Sequence, residues 1–253
     1  MRTVLAVLLL GIMLVTPAQA SFTVPERLVF DISWSGIVAG TAIQEVSRDG
    51  DGVRIVSTAR SADWLSVFFT VDDRIEAVMG KGEGGKLFGL PKSFREKIRE
   101  GPSRYHKDIT FDHVRQTATI FDHREKNPDR KTTSLPITPI TYDSLSCFYY
   151  ARLQKLEPGG VFYIDIFDGK RLHTTEVRVL RRETLTTNLG VFKTVVIMPV
   201  LETKGIFSKN GELFIWLTDD ERRIPVLMKS KVKIGSVTAT LTGGSYWPQQ
   251  AKK

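Results

Sequence analysis

The side chains of this sequence that could do chemistry beyond packing are four histidines, one cysteine and a few clustered carboxylates. His113 and His123 each follow a Phe-Asp pair, Phe111-Asp112 and Phe121-Asp122, and flank one expected hairpin. A zinc site needs imidazoles on one helix face, or paired across a short turn with a carboxylate or thiolate nearby. Two imidazoles and two carboxylates at a solvent edge are ordinarily just polar strand ends, so no metal is expected. Cys147, between Ser146 and Phe148, reads as a small buried hydrophobe, and a lone cysteine cannot close an internal disulfide. Asp219, Asp220 and Glu183 are the best carboxylates for acid–base work on a glycan or lipid. Arg222 and Arg223 follow the aspartates directly, which makes a charged turn the simpler reading. The G-x-S-x-G and H-E-x-x-H signatures are missing, so no catalytic residue is assigned and an enzyme is the minor reading. Gly80-Lys81-Gly82-Glu83-Gly84-Gly85 matches G-x-G-x-x-G only formally. The dinucleotide fingerprint needs a helix N-terminus to receive the pyrophosphate, and Lys86 to Pro91 cannot begin one, so no cofactor is expected.

Binding offers more. Arg95, Lys97 and Arg99 alternate along one expected strand and so share a face, and Arg104, His106 and Lys107 follow on the next. Such a stripe would meet an anionic surface, or would simply be the solvated outside of a sheet. Six aromatics, Trp34, Trp64, Phe68, Phe148, Tyr149 and Trp216, would line a cavity for an apolar or lipid-like ligand, or else close a packed core.

The elements that must hold these residues are mostly strands. Turn signals recur every eight to twelve residues: Ser35-Gly36, Asp49-Gly50-Asp51-Gly52, Gly101-Pro102, residues 113–116, Asp168-Gly169, Asn188-Leu189-Gly190, Lys209-Asn210-Gly211 and residues 219–223. Short alternating runs between such turns predict an antiparallel sandwich or barrel. Helix is expected at two places. Asp143 is a good N-cap for a segment ending at Pro158-Gly159, and residues 61–68 form a shorter turn of helix, each laying an apolar face on the sheet. A meander this long must curl. The expected fold is therefore mainly β: a curved antiparallel sheet forming an open or closed barrel, with one central helix and a short second helix packed on it.

Residues 1–20 carry a positive start, an apolar run at 4–15 and the small-residue end Ala18-Gln19-Ala20. The run is well short of the about 20 residues a spanning helix needs, so the segment reads as a signal peptide cleaved after Ala20. Residues 21–253 then form one exported, periplasmic domain. The whole sequence has a formal charge of +8, of which Arg2 leaves with residues 1–20. In a compartment without chromosomal DNA that balance points to anionic lipid, cell-wall polymer or an acidic envelope protein rather than nucleic acid.

Residues 30–42 (Phe30-Asp31-Ile32-Ser33-Trp34 onward), Tyr142 to Arg152, Arg182-Glu183 with Gly190-Val191-Phe192-Lys193-Thr194, and Ile215 to Val226 together resemble a bacterial exported family catalogued as domain of unknown function 3108. The resemblance spans nearly the whole mature chain and implies no activity. A tryptophan ending one strand, an acidic turn and a proline-led next strand (Trp216, Asp219, Pro225) are similar to the periplasmic lipoprotein carriers, whose curved sheet wraps an apolar cavity. The resulting expectation is non-catalytic binding of an apolar or lipid-like ligand. An envelope assembly factor with a protein partner, and an enzyme acting on cell wall or lipid, remain as alternatives.

Overall fold

Glycine and aspartate at the turns send the chain back on itself, and the strands between them pair in order. The computed structural model describes residues 23–200, 212–231 and 235–247. The signal-like segment and the expected turn at 209–211 lie outside the described residues. One wing consists of β1 (Glu26–Trp34), β2 (Ile37–Asp49), β3 (Gly52–Ser61), β4 (Asp72–Met79), β5 (Pro91–Glu100), β6 (Ser103–Asp112), β7 (Thr117–Asp122) and β8 (Thr132–Pro136). The other consists of β9 (Thr141–Asp143), β10 (Val161–Phe167), β11 (Leu172–Thr187), β12 (Gly190–Pro199), β13 (Leu213–Thr218), β14 (Pro225–Lys231) and β15 (Ser236–Gly244). Pairing of β15 with β1 joins the wings into one sheet of fifteen strands, with β8 and β9 at its edges. Every pair is antiparallel except β9 with β10.

The sheet curves but is not closed by hydrogen bonds. Side chains close it instead. Phe111 of β6 meets Phe167 of β10 edge-on with centroids 6.2 Å apart, and Lys170, in the β10–β11 turn, stands 6.0 Å from the Tyr105 ring of β6. The main core gathers Ile55, Phe94 and Ile109 from the first wing with Val177, Val195 and Leu217 from the second. A second cluster joins Leu28 and Phe30 to Val196, Trp216 and Val226. β12 and β13 are thus buried on both faces, which explains their unbroken apolar runs Val195-Val196-Ile197 and Ile215-Trp216-Leu217.

Among the described residues, three short α-helices complete the fold: α1 (Asp63–Ser66), α2 (Pro128–Lys131) and α3 (Ser146–Arg152). Asp143 organises the entry to α3. Its Oδ1 accepts from the Leu145 and Ser146 amides, both at 2.8 Å, and its Oδ2 accepts from the Ser146 hydroxyl at 2.7 Å. The other end of α3 is fixed by a fully buried ion pair. Arg152 grips Glu26 of β1 in a fork, Nη1 to Oε1 at 2.6 Å and Nη2 to Oε2 at 2.8 Å, and Nη2 also donates to the Arg222 carbonyl at 3.0 Å. Tyr246, just past β15, donates to the same carboxylate at 2.9 Å. One guanidinium therefore ties the central helix to the first strand, the β13–β14 turn and the chain's last described turn.

Several expectations change. α1 buries none of its residues, so it caps one end of the sheet instead of packing on its inner face. β8, β9 and α2 fall in a stretch with no alternation to read. β11 is one sixteen-residue strand rather than two, with an irregularity between Val179 and Arg181 that turns its side chains to new faces.

Candidate binding cleft

A cleft lies at the end of the barrel where β4 turns into β5. Residues 80–90 form a strap there. Gly80 N donates to Leu90 O and Gly89 N to Gly80 O, each at 2.9 Å, and Gly82 N donates to Lys86 O at 2.9 Å. The glycines are required by crowding: a Cβ on Gly82 or Gly89 would press into the carbonyl oxygen of Phe88 or Lys81 respectively. With its backbone closed so tightly, the strap turns Leu87, Phe88 and Leu90 inward, where they pack on the main core. Phe88 stacks on Tyr149 of α3 with centroids 6.2 Å apart and planes 7° from parallel.

Facing the strap across the cleft are Ile140, Tyr142, Tyr150 and Leu153, from the segment running through β9 into α3. Phe111 and His113 close one side. Tyr142 and Tyr150 stack at 4.4 Å, and burial, reinforced by each other's presence, raises the Tyr142 phenol above its ordinary value, so it stays a neutral donor. The cleft encloses about 1180 Å³. Lys81, Lys86 and Lys92, all exposed, stand at its mouth and outnumber the two carboxylates there, Asp51 and the exposed Glu83. Lys92 lies 3.5 Å from Asp51, whereas Lys81 and Lys86 have no ion pair among the described residues. His113 Nε2 contacts the Pro91 carbonyl at 2.8 Å, while its Nδ1 is buried and lacks a hydrogen-bond partner. The arrangement is an apolar slot with a basic lip and neutral polar groups on its wall. It suits binding of a chain-like apolar molecule with an anionic end.

The six aromatics named from the sequence divide among three places. Tyr149 is buried behind Phe88 and forms part of the cleft's backing, with Phe148 beside it at 5.8 Å. Trp216 is buried in the second core cluster, where its Nε1 bonds Glu183. Trp34, Trp64 and Phe68 are exposed at the other end of the sheet. They line no common cavity, because each strand end sends its aromatic to a different face or turn.

The basic stripe is half as expected. Arg95, Lys97 and Arg99 do alternate on the exposed face of β5, with Arg104 opposite Arg99. Lys107 is a correction: one residue on from His106, it must point to the other face, and there it faces Glu96 and Asp122 with little exposure. Arg95 is spent on Asp108, which accepts from its Nε at 2.7 Å and its Nη2 at 2.9 Å.

The carboxylates proposed for acid–base work are clamped. Arg181 at 2.8 Å, with Trp216 Nε1, holds the Glu183 carboxyl below its ordinary range. Burial would raise Asp219, but Arg223 at 2.8 Å and Arg182 at 2.9 Å outweigh it, and Thr218 and Arg222 do the same for Asp220. None is poised to give up a proton near neutral pH.

His113 and His123 do not meet, because β7, about 20 Å long at 3.3 Å per residue, runs between them. His123 instead stacks on His106 at 3.9 Å, with Asp108 Oδ2 3.2 Å from its Nε2. The three ligand atoms lie within 4.8 Å of one another. Asp108 is already committed to Arg95, and Lys97 stands opposite His106 on β5, so the surroundings disfavour a cation.

A curved sheet with an irregular central segment and this set of turns matches a known pattern. The family described as protein of unknown function (DUF3108) matches residues 29–242. The chain belongs to that family. No curated protein matches it. The DUF3108 fold is similar to a crystal structure of a β-barrel-like protein of domain of unknown function DUF1849 from Brucella abortus, at 14% identity and a TM-score of 0.55, covering 88% of this chain and 98% of that one. A protein of YmcC-like fold from Bacteroides fragilis matches at 9% identity and a TM-score of 0.36, covering 90% and 98%. Within this DUF3108 chain, the cleft residues that sequence reasoning passed over are Leu87, Phe88, Leu90, Ile140 and Tyr150. The available signal was an apolar run directly after a glycine cluster, since solvent-facing loops are ordinarily polar.

Proposed function

We propose that this chain is a non-catalytic binding protein of the cell envelope, and that its cleft takes an apolar, lipid-like molecule with an anionic end. The observation that carries this reading is the slot of about 1180 Å³ with apolar walls and lysines at its mouth. The signal-like pattern of residues 1–20 supports an exported setting. The salt-bridged state of Asp219, Asp220 and Glu183 favours binding over acid–base chemistry.

A fluorescent long-chain fatty acid titrated into the purified mature chain tests the reading. Ile140 is 61% exposed on the cleft wall, so Ile140→Asp leaves the fold intact while placing a charge against the alkyl chain. The expected result is a loss of affinity of about tenfold or more, the equivalent of 1.4 kcal/mol or above. Lys81→Glu with Lys86→Glu should weaken the acid but leave its methyl ester unaffected. Equal binding by wild type and Ile140→Asp would sink the proposal.

A further inference from the structure

At the end of the sheet opposite the cleft, three connections leave together: the β1–β2 turn, the β3–β4 connection with α1, and the β5–β6 turn. Hydrogen bonds tie them into one body. Ala62 N donates to Ala39 O at 2.8 Å, Trp64 Nε1 to Val38 O at 3.1 Å, and Gly101 N to Thr70 O at 2.8 Å. Gly101 also lies so close under the Phe69 ring that it has no room for a side chain. The outer surface of this body is apolar. Trp34, Ile37, Val38 and Trp64 are about half exposed or more, Val67 is 79% exposed and Phe68 84%. The local cause is that α1 lasts a single turn, so Val67 and Phe68 follow it with no neighbouring element to cover them. Scattered single hydrophobics need no explanation; six adjoining ones on projecting turns mark a contact surface.

We propose that this end docks on an anionic phospholipid bilayer. Shape and charge both favour a bilayer over a protein surface. The most exposed side chains sit at the apex and two tryptophans stand behind them, as the amphipathic indole ring prefers at a water–lipid boundary. The β5–β6 hairpin beside Phe69 carries Lys97, Arg99 and Arg104, and the β7–β8 connection adds Arg124, Lys126 and Arg130. None of these six has an ion pair among the described residues. Of the acidic groups nearby, Asp72 is paired with Arg60 at 3.5 Å. Asp73 accepts from the Arg99 amide at 2.8 Å and lies beside Glu100, and burial raises the pKa of both carboxyls. Asp63 and Asp129 are exposed and Glu125 half-buried, against Lys97, Arg99, Arg104, Arg124, Lys126, Arg130 and Lys131, so the balance of the flank stays cationic. An apolar apex with a basic collar fits anionic headgroups over an acyl layer. This surface is separate from the cleft and does not depend on what the cleft binds.

Vesicle flotation with the purified mature chain tests the proposal, using phosphatidylcholine vesicles with and without phosphatidylglycerol. The wild type should float with the phosphatidylglycerol vesicles, several-fold less at high salt than at low salt. Phe68→Asp and Val67→Asp should bind tenfold or more weakly with unchanged melting, because both side chains are exposed. Ile140→Asp should float like wild type, which separates this surface from the cleft. No flotation of the wild type, or equal flotation of Phe68→Asp, overturns the proposal. So does a wild-type dimer in sedimentation equilibrium that Phe68→Asp converts to monomer, since the patch would then be a contact between two copies.

Discussion

Arg152 and Glu26 are separated by 126 positions and share one buried site with no exposure of either side chain. Burial alone would lower the Arg152 pKa, and the Glu26 carboxylate more than offsets it, so the guanidinium stays charged. Removing one partner from such a pair leaves an uncompensated buried charge, at a cost of about 3–5 kcal/mol, whereas replacing both with apolar groups is often close to neutral. Arg152→Leu should therefore lower unfolding stability in urea by an amount in that range. Glu26→Leu with Arg152→Leu should recover most of it. A double variant no more stable than the single would show that the pair is not what holds α3 in place. At the same scale, burial with Asp143 nearby pushes the Cys147 thiol up to about 12, in keeping with a packing role for this cysteine. Nothing local in the sequence disclosed the ion pair, since an arginine in the last turn of a helix looks like an ordinary charge at its C-terminal end.

The β13–β14 connection carries five charged residues in succession, Asp219 to Arg223, and Glu183 of β11 is ion-paired as Asp219 and Asp220 are. Asp219, Asp220 and Glu183 all have folded pKa values held below their ordinary ones, 3.8 for aspartate and 4.5 for glutamate. Each contributes stability that is complete above the ordinary value and is lost as pH falls through the depressed one. Denaturant unfolding as a function of pH should show stability declining below about pH 4.5. Asp219→Asn, Asp220→Asn and Glu183→Gln combined should flatten that decline, and an unchanged acid slope would contradict the assignment. Turns of this kind were legible because their chemistry is local: Asp-Gly, Asn-Leu-Gly and Gly-Pro act on the few residues around them. β9 was not legible, because three residues in a parallel pairing carry no periodicity. The glycine strap is legible as a loop from its composition, but its inward Leu87 and Phe88 depend on carbonyl contacts that only the folded backbone creates. Lys107 was within reach of the sequence, since a period of two already places it opposite His106.

At the scale of the molecule, the curled antiparallel sheet followed from the number of strands and the turns between them. The cleft did not, because its walls come from residues 80–92, from the end of β6 and from residues 140–154, which only the return of the second wing brings together. The cleft lies at one end of the sheet and the projecting turns with Val67 and Phe68 at the other. The central claim is that the cleft holds a lipid-like molecule with an anionic end. Native mass spectrometry of residues 21–253, stripped of ligand and then exposed to an extract of envelope lipids, tests it most directly. The prediction is a bound species, identified after organic extraction as an acidic amphiphile, present on wild type and Phe68→Asp and lost on Ile140→Asp. A bare protein mass after exposure to the extract, or the same adduct on Ile140→Asp, would contradict it.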